Sequence, residues 1–246
     1  MEQRTAIVTG GTGGIGTAIC QHLAKDYSVV ACYFKDGKHD EAIQWQQAQR
    51  EAGFNIEILY ADIAQFTDCE QLVSLVMERY GRIDVLINNA GITNDTSLKK
   101  MSPEQWQTVL DANLTSVFNM TRNTLPFMLE QGYGRIISIS SINGRKGQFG
   151  QCNYAATKAA LFGFTKSLAL EVASKGITVN TISPGYIETP MISKMRDEVL
   201  KNIIAAIPVQ RLGQPQDIAD AVAYLASPAT SFITGANIDI NGGQYM

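Results

Sequence analysis

Short β-branched runs alternate with longer helical patterns along the whole of this chain, and that alternation limits the fold more than any other feature. Strand candidates fall at 6–9, 28–33, 56–60, 84–88, 135–140, 178–182 and 237–240. Runs such as Val85-Leu86-Ile87 and Ile136-Ile137 are apolar at consecutive positions, as parallel strands covered on both faces require. Helical patterns fall between them at 14–25, 38–52, 67–80, 103–131, 152–174 and 215–226. Parallel strands need crossover connections, and those are right-handed, so the expected fold is an α/β doubly wound parallel sheet, Rossmann-like. No repeat, low-complexity tract or long Pro/Gly/Ser linker divides the chain, so one domain over 1–246 is expected. The stretch from Pro190 to Val209 breaks the alternation. It carries Met191, Ile192, Met195, Val199, Ile203 and Ile204 after a Pro184-Gly185 turn and reads either as a small helical lid over about 186–209 or as a static helical pair.

Bulk properties exclude several classes. With 45% hydrophobic and 17% charged residues among 246, the chain has the composition of an ordinary globular protein with room for a large core. A net charge of −3 gives no electrostatic basis for nucleic acid as the main partner. Met1-Glu2-Gln3-Arg4-Thr5 has no secretory pattern, and no apolar run approaches a membrane span. Cys20, Cys32, Cys69 and Cys152 are scattered without a CxxC, which fits reduced thiols in a cytoplasmic protein. His22 and His39 have no neighbouring ligand pattern, so neither a metal site nor a catalytic histidine is expected.

Thr9-Gly10-Gly11-Thr12-Gly13-Gly14-Ile15-Gly16 lies between the first strand and the first helix. Glycines there allow a tight turn and close approach to a pyrophosphate, and the helix N-terminus offers free N–H groups and the positive end of its dipole. No Gly-Lys-Ser/Thr follows, so a P-loop is not supported.

Tyr154 and Lys158 stand four residues apart in a helical pattern, with Ser141 thirteen positions upstream at the end of a strand. Four residues is about one turn, so phenol and ammonium share a helix face. A free phenol has a pKa near ~10. A cation nearby would lower it toward a working range for proton transfer, and a serine hydroxyl at the same point would hold a carbonyl oxygen. Alone, a Tyr-x-x-x-Lys pair is common and would mean little.

The motifs Thr9 to Gly16, Asn88-Asn89-Ala90-Gly91, Asn113, Ser141, Tyr154 with Lys158, and Pro184-Gly185 fall in order over nearly the whole chain. Together they resemble the short-chain dehydrogenase/reductase family. The resemblance implies a nicotinamide dinucleotide held by Gly10, Thr12, Gly13, Gly14, Ile15 and Gly16. Asp62 and Ile63 would lie toward the adenine, and Asn89, Ala90 and Gly91 toward a ribose. Tyr154, Lys158, Pro184, Gly185, Ile187 and Thr189 would lie on the nicotinamide side. It also implies that Tyr154 donates the proton to a ketone oxygen, that Lys158 lowers its pKa and that Ser141 binds the oxygen. Asn113 would hold a water of the proton relay. An acid closing the second strand would bind a ribose 2′-hydroxyl and repel a 2′-phosphate. Here Phe34 stands at that place and Lys35 follows, which favours NADP(H), although Asp36 and Asp40 are near in sequence.

Within that family, 141–151 resembles the acetoacetyl-CoA reductases of polyhydroxybutyrate synthesis, as do 16–21, 175–180, 208–213 and 241–246. This implies an acyl-CoA substrate touched by Gln148, Phe149 and Gln151, Tyr186 closing from the opposite loop, and Asp95 by analogy. The product implied is the (R)-3-hydroxyacyl-CoA. Lys99, Lys100, Arg145, Lys146, Lys194 and Arg196 are candidates for a basic rim facing CoA phosphates. A 3-oxoacyl-acyl-carrier-protein reductase would run the same chemistry. Such an enzyme needs a basic docking patch for its acidic partner, whereas Leu129-Glu130-Gln131-Gly132-Tyr133-Gly134 is acidic to neutral. A catalytically silent regulator of the same fold is the remaining alternative, and intact Asn113, Ser141, Tyr154 and Lys158 argue against it. The resemblance also implies a homotetramer built on 103–131, 152–174 and the C-terminal strand.

Overall fold

The computed structural model describes residues 3–34, 39–190, 192 and 196–246. Among them, β1 (Arg4–Thr9), β2 (Tyr27–Tyr33), β3 (Ile56–Tyr60), β4 (Val85–Asn88), β5 (Gly134–Ile139), β6 (Ile177–Pro184) and β7 (Asn237–Ile240) form one sheet. Its order is β3-β2-β1-β4-β5-β6-β7, and every neighbouring pair is parallel. All strands match the sequence expectation within two residues. Their consecutive apolar positions feed two cores at once. Ala6 and Val8 of β1 pack on the face covered by α1 (Gly14–Leu23) and α9 (Pro215–Ala226). Ile7 packs on the other face, beneath α3 (Phe66–Tyr80), α5 (Ser116–Gln131) and α7 (Cys152–Val172). The remaining helices are α2 (His39–Glu51), α4 (Pro103–Leu110), α6 (Ile142–Lys146) and α8 (Asp197–Ala205).

Three departures from the sequence reading matter for the site. The 103–131 pattern is two helices joined by a π-helical turn, Asp111–Thr115, with Asn113 at its centre and fully buried. The unexpected α6 starts at Ser141, whose hydroxyl caps it by accepting from the Asn143 amide N–H at 3.1 Å. In the segment that broke the alternation, α8 is the helical part, and the chain leading into the segment is anchored twice. Gly185 N–H donates to Ile240 O at 2.8 Å and Glu188 N–H to Gly213 O at 2.8 Å. Met191, Lys194 and Met195 lie outside the described residues.

The chain moves outward from β1 to β3, then returns to β4 and continues the other way. Ligands of such sheets bind in the crevice opened by that reversal, at the C-terminal ends of the strands. The glycine turn, Asn89 to Gly91, Ser141 and Pro184-Gly185 all leave their strands at that end. No helix among the described residues is long and apolar enough to cross a membrane.

Candidate active site

The glycine turn is locked to the end of β4. Thr9 Oγ1 accepts from the Asn89 and Ala90 N–H groups at 3.0 and 3.1 Å. The Asn89 side chain donates to the Thr9 and Gly10 carbonyls at 3.0 and 3.1 Å. Asn89 thus fastens the turn across the crevice through its amide. Gly10 has φ +62°, and a Cβ there would lie 3.0 Å from Ala90 Cα. At Gly16 a Cβ would fall 2.2 Å from the Gly10 carbonyl oxygen. Gly13 precedes α1 with no side-chain cap, so the first N–H groups of the helix keep their hydrogen-bonding capacity beside exposed Gly13 and Gly14. A free helix N-terminus beneath side-chain-free backbone fits a dinucleotide pyrophosphate. Thr12 and Ile15 lie in the same turn, half-buried, and Thr189 reaches it from the far side: a Cβ on Gly14 would be 3.0 Å from Thr189 Cγ2.

Replacing Gly16 by Ala drives the turn away from α1. A strain of ~1–3 kcal/mol carried into the bound state weakens dinucleotide affinity about 10- to 100-fold. Fluorescence titration with NADPH measures it; unchanged affinity would mean that the turn does not hold the phosphates.

Phe34 follows β2 half-exposed, its ring 5.9 Å from that of Tyr60, and Tyr33 Oη lies 2.9 Å from His39 Nδ1. Lys35 and Asp36 lie outside the described residues. Asp62 Oδ1 accepts from Ala64 N–H at 3.0 Å, and the carbonyl of buried Ile63 accepts from Asn119 Nδ2 at 3.0 Å.

Ser141, Tyr154, Lys158 and Asn113 converge near the β5 end of the crevice. The Ser141 hydroxyl faces the Tyr154 phenol and favours its ionised form. Ser140 instead donates to the Lys158 carbonyl at 2.8 Å, so it orients backbone. Lys158 is buried, donates from Nζ to the Ile139 carbonyl at 2.8 Å, and lies 5.7 Å from the centre of the Tyr154 ring. Burial pushes its pKa down to about 8. Asn113 uses both ends of its amide on Ile92, accepting from the N–H at 2.8 Å and donating to the carbonyl at 2.9 Å. It also donates to Thr157 Oγ1 at 3.2 Å. Gly91 lies against both: a Cβ there would meet Asn113 Oδ1 and Lys158 Nζ at 3.2 Å each.

The expected lowering of the Tyr154 pKa by Lys158 is corrected by the structure. Burial pushes the phenol above its ordinary value, the Ser141 hydroxyl opposes that, and the Asp95 charge adds to it. Lys158 gives its hydrogen bond to Ile139, and burial weakens its own hold on the proton, so desolvation of the phenol wins. A phenol raised in this way stays protonated at neutral pH and serves as a donor.

Pro184 and Gly185 close β6, and Gly185 lies tight on Asn241, whose Cα would be 2.8 Å from a Cβ there. Ile187 is buried and bridges to Gly213. Tyr186 is half-buried, and the Asp95 charge reaches it as it reaches Tyr154. Of the substrate-loop residues, Gln151 is engaged at both ends: its Oε1 accepts from Asn143 Nδ2 at 2.9 Å and its Nε2 donates to Asp95 Oδ2 at 2.7 Å. Gln148 Oε1 accepts from Lys146 Nζ at 3.0 Å. Phe149 is 90% exposed at the rim. Arg145 leaves the proposed basic rim. It pairs with Asp239 of β7 at 3.6 Å and lies over the rings of Phe162 in α7 and Tyr245 past β7, so its charge is engaged away from the rim. Lys99, Lys100, Lys146 and Arg196 stay exposed, and Lys194 is outside the described residues.

Sequence reasoning passed over Thr157, Asn143 and Asn153. Thr157 accepts from Asn113 and donates to the Tyr154 carbonyl at 2.7 Å, joining the two. Asn153, fully buried, donates to Asn94 O at 3.1 Å. Their shared signal was a polar side chain beside a reactive one on a buried helix face.

A dinucleotide cradle beside a hydroxyl pair and a buried amine defines a nicotinamide-dependent oxidoreductase. A family model described as Enoyl-(Acyl carrier protein) reductase matches residues 10–244. The chain belongs to the short-chain dehydrogenase/reductase family. It is 51% identical over 243 residues to Acetoacetyl-CoA reductase of Allochromatium vinosum, covering 99% of each chain. Acetoacetyl-CoA reductase of Cupriavidus necator is 49% identical over 247 residues, covering all of both. A 3-oxoacyl-acyl-carrier-protein reductase of Vibrio cholerae is 41% identical over 246 residues, covering 100% of this chain and 99% of that one.

Proposed function

We propose that this chain is an NADPH-dependent acetoacetyl-CoA reductase that forms (R)-3-hydroxybutyryl-CoA. The observation that carries the chemistry is the convergence of the Ser141 and Tyr154 hydroxyls beside buried Lys158, at the end of β5. The substrate assignment rests on full-length relatives at 46–51% identity that bear that name. The dinucleotide, when bound, supplies the hydride to the carbonyl carbon. Ser141 and Tyr154 hold the carbonyl oxygen between two hydroxyls, and Tyr154 passes its proton to that oxygen as negative charge develops. Lys158, with a pKa of about 8, is poised to return a proton to Tyr154, and Asn113 flanks the same point at Gly91. Preference for the 2′-phosphate is supported by Tyr33-Phe34 closing β2 without an acid and by Lys35 next in sequence.

The same reading makes 1–246 one domain with 186–209 as its lid, acting in the cytoplasm in polyhydroxybutyrate synthesis. A homotetramer is supported by apolar side chains left on the helix surfaces. Leu170 of α7 is 88% exposed, Phe118 of α5 lies half-exposed against Phe66, and Phe232 near β7 is fully exposed. Parallel initial rates with acetoacetyl-CoA and acetoacetyl-carrier protein, each with NADPH and NADH, test the proposal. The expected kcat/KM is highest for the CoA thioester with NADPH; a higher value for the carrier-bound ketone would reject the substrate.

A further inference from the structure

We propose that Asn143, Gln151 and Asp95 form a positioning chain that clips the loop after β4 to the loop before α7 and fixes where the Asp95 carboxylate stands relative to Tyr154 and Tyr186. The inference rests on the reading of Tyr154 as proton donor and assigns Gln151 and Asp95 a task other than gripping the substrate. Gln151 can face only one way. Its N–H donates to the carboxylate of Asp95 at 2.7 Å, and its carbonyl accepts from Asn143 at 2.9 Å, so a flipped amide would lose both bonds. Asn143 is itself held beside the capping hydroxyl of Ser141, which accepts from its backbone N–H. Two further bonds run alongside, Thr96 N–H to Gly150 O at 2.9 Å and Asn153 Nδ2 to Asn94 O at 3.1 Å.

Asn143 Oδ1 is buried without a partner among the described residues, so only the donor end of this amide is used, and it is used on Gln151. A buried half-satisfied amide calls for an explanation, and setting the Gln151 side chain supplies one. The consequence is electrostatic. The groups that act on the Tyr154 phenol are the Ser141 hydroxyl from the end of β5 and the charge of Asp95 from the loop after β4, with Lys158 5.7 Å from the ring centre on its own helix. Among these, Asp95 alone brings a negative charge. That charge reinforces burial in keeping Tyr154 and Tyr186 protonated. An aspartate released from the clip is no longer held near the two rings and loses that influence.

The test is NMR titration of enzyme labelled at the tyrosine ζ-carbon, with Tyr154→Phe to assign the signal. It needs no substrate, so its failure is separable from failure of the acetoacetyl-CoA assignment. Asp95→Asn, Asn143→Ala and Gln151→Met are each expected to lower the Tyr154 midpoint by about half a pH unit or more. Gln151→Met cuts the chain at its middle should Asn143→Ala not fold. A fall in Asp95→Asn alone would overturn the positioning role of Asn143 and Gln151, and unchanged midpoints in all three would overturn the whole proposal. A merely structural role would change melting and leave the midpoint in place.

Discussion

Tyr154→Phe is expected to lower kcat for ketone reduction by about 10²–10³-fold or more while leaving NADPH affinity within a few-fold of wild type. The substitution removes one oxygen and its proton from a ring whose place in α7 is otherwise kept. The lost oxygen is the one that converges with Ser141, so the carbonyl would retain one donor and no proton source. The dinucleotide cradle, built from Gly10 to Gly16, Asn89 and Thr9, does not depend on it. Steady-state kinetics and fluorescence titration separate the two effects. A variant that keeps more than about a tenth of the wild-type kcat would show that the proton comes from elsewhere.

Lys158→Met is expected to abolish efficient turnover and to make the protein more stable at neutral pH. The amine has its pKa lowered from 10.5 to about 8 by burial, so the native state binds this proton more weakly than the unfolded chain does. The penalty is full below pH 8, fades as the pH rises and is gone above 10.5. Such a shift corresponds to about 3 kcal/mol at pH 7. Methionine removes that cost and forfeits the charge-assisted hydrogen bond to the Ile139 carbonyl, worth ~2 kcal/mol, for a net gain of about 1 kcal/mol. In a chain of this size that raises Tm by about 2–4 °C. Calorimetry of both proteins from pH 7 to pH ~10 tests the sign, because the wild type should close the gap as Lys158 loses its proton. A variant less stable at pH 7, or a gap constant across the range, would contradict a strained buried amine.

The strands were legible because parallel strands covered on both faces must be apolar at successive positions, and few other elements share that pattern. The glycine turn and the Tyr154–Lys158 spacing were legible because both are local. What escaped depends on partners distant in sequence. The π-helical turn exists where Asn113 turns its amide onto the Ile92 backbone, and periodicity over 103–131 carries no trace of that. Five-residue α6 is too short to show a helical period. Arg145 read as a basic rim residue because its partner, Asp239, comes from the last strand. The direction of the Tyr154 pKa was misread for the same reason: spacing reveals a neighbouring cation, while burial of the phenol and the charge of Asp95 arise only when separate loops meet.

The most direct test follows the disappearance of NADPH absorbance when purified wild-type protein and Tyr154→Phe are each given acetoacetyl-CoA. The expected result is rapid loss in the wild type and almost none in the variant. No oxidation by the wild type, or equal rates in the two, would contradict the assignment of this site as a proton-donating ketone reductase.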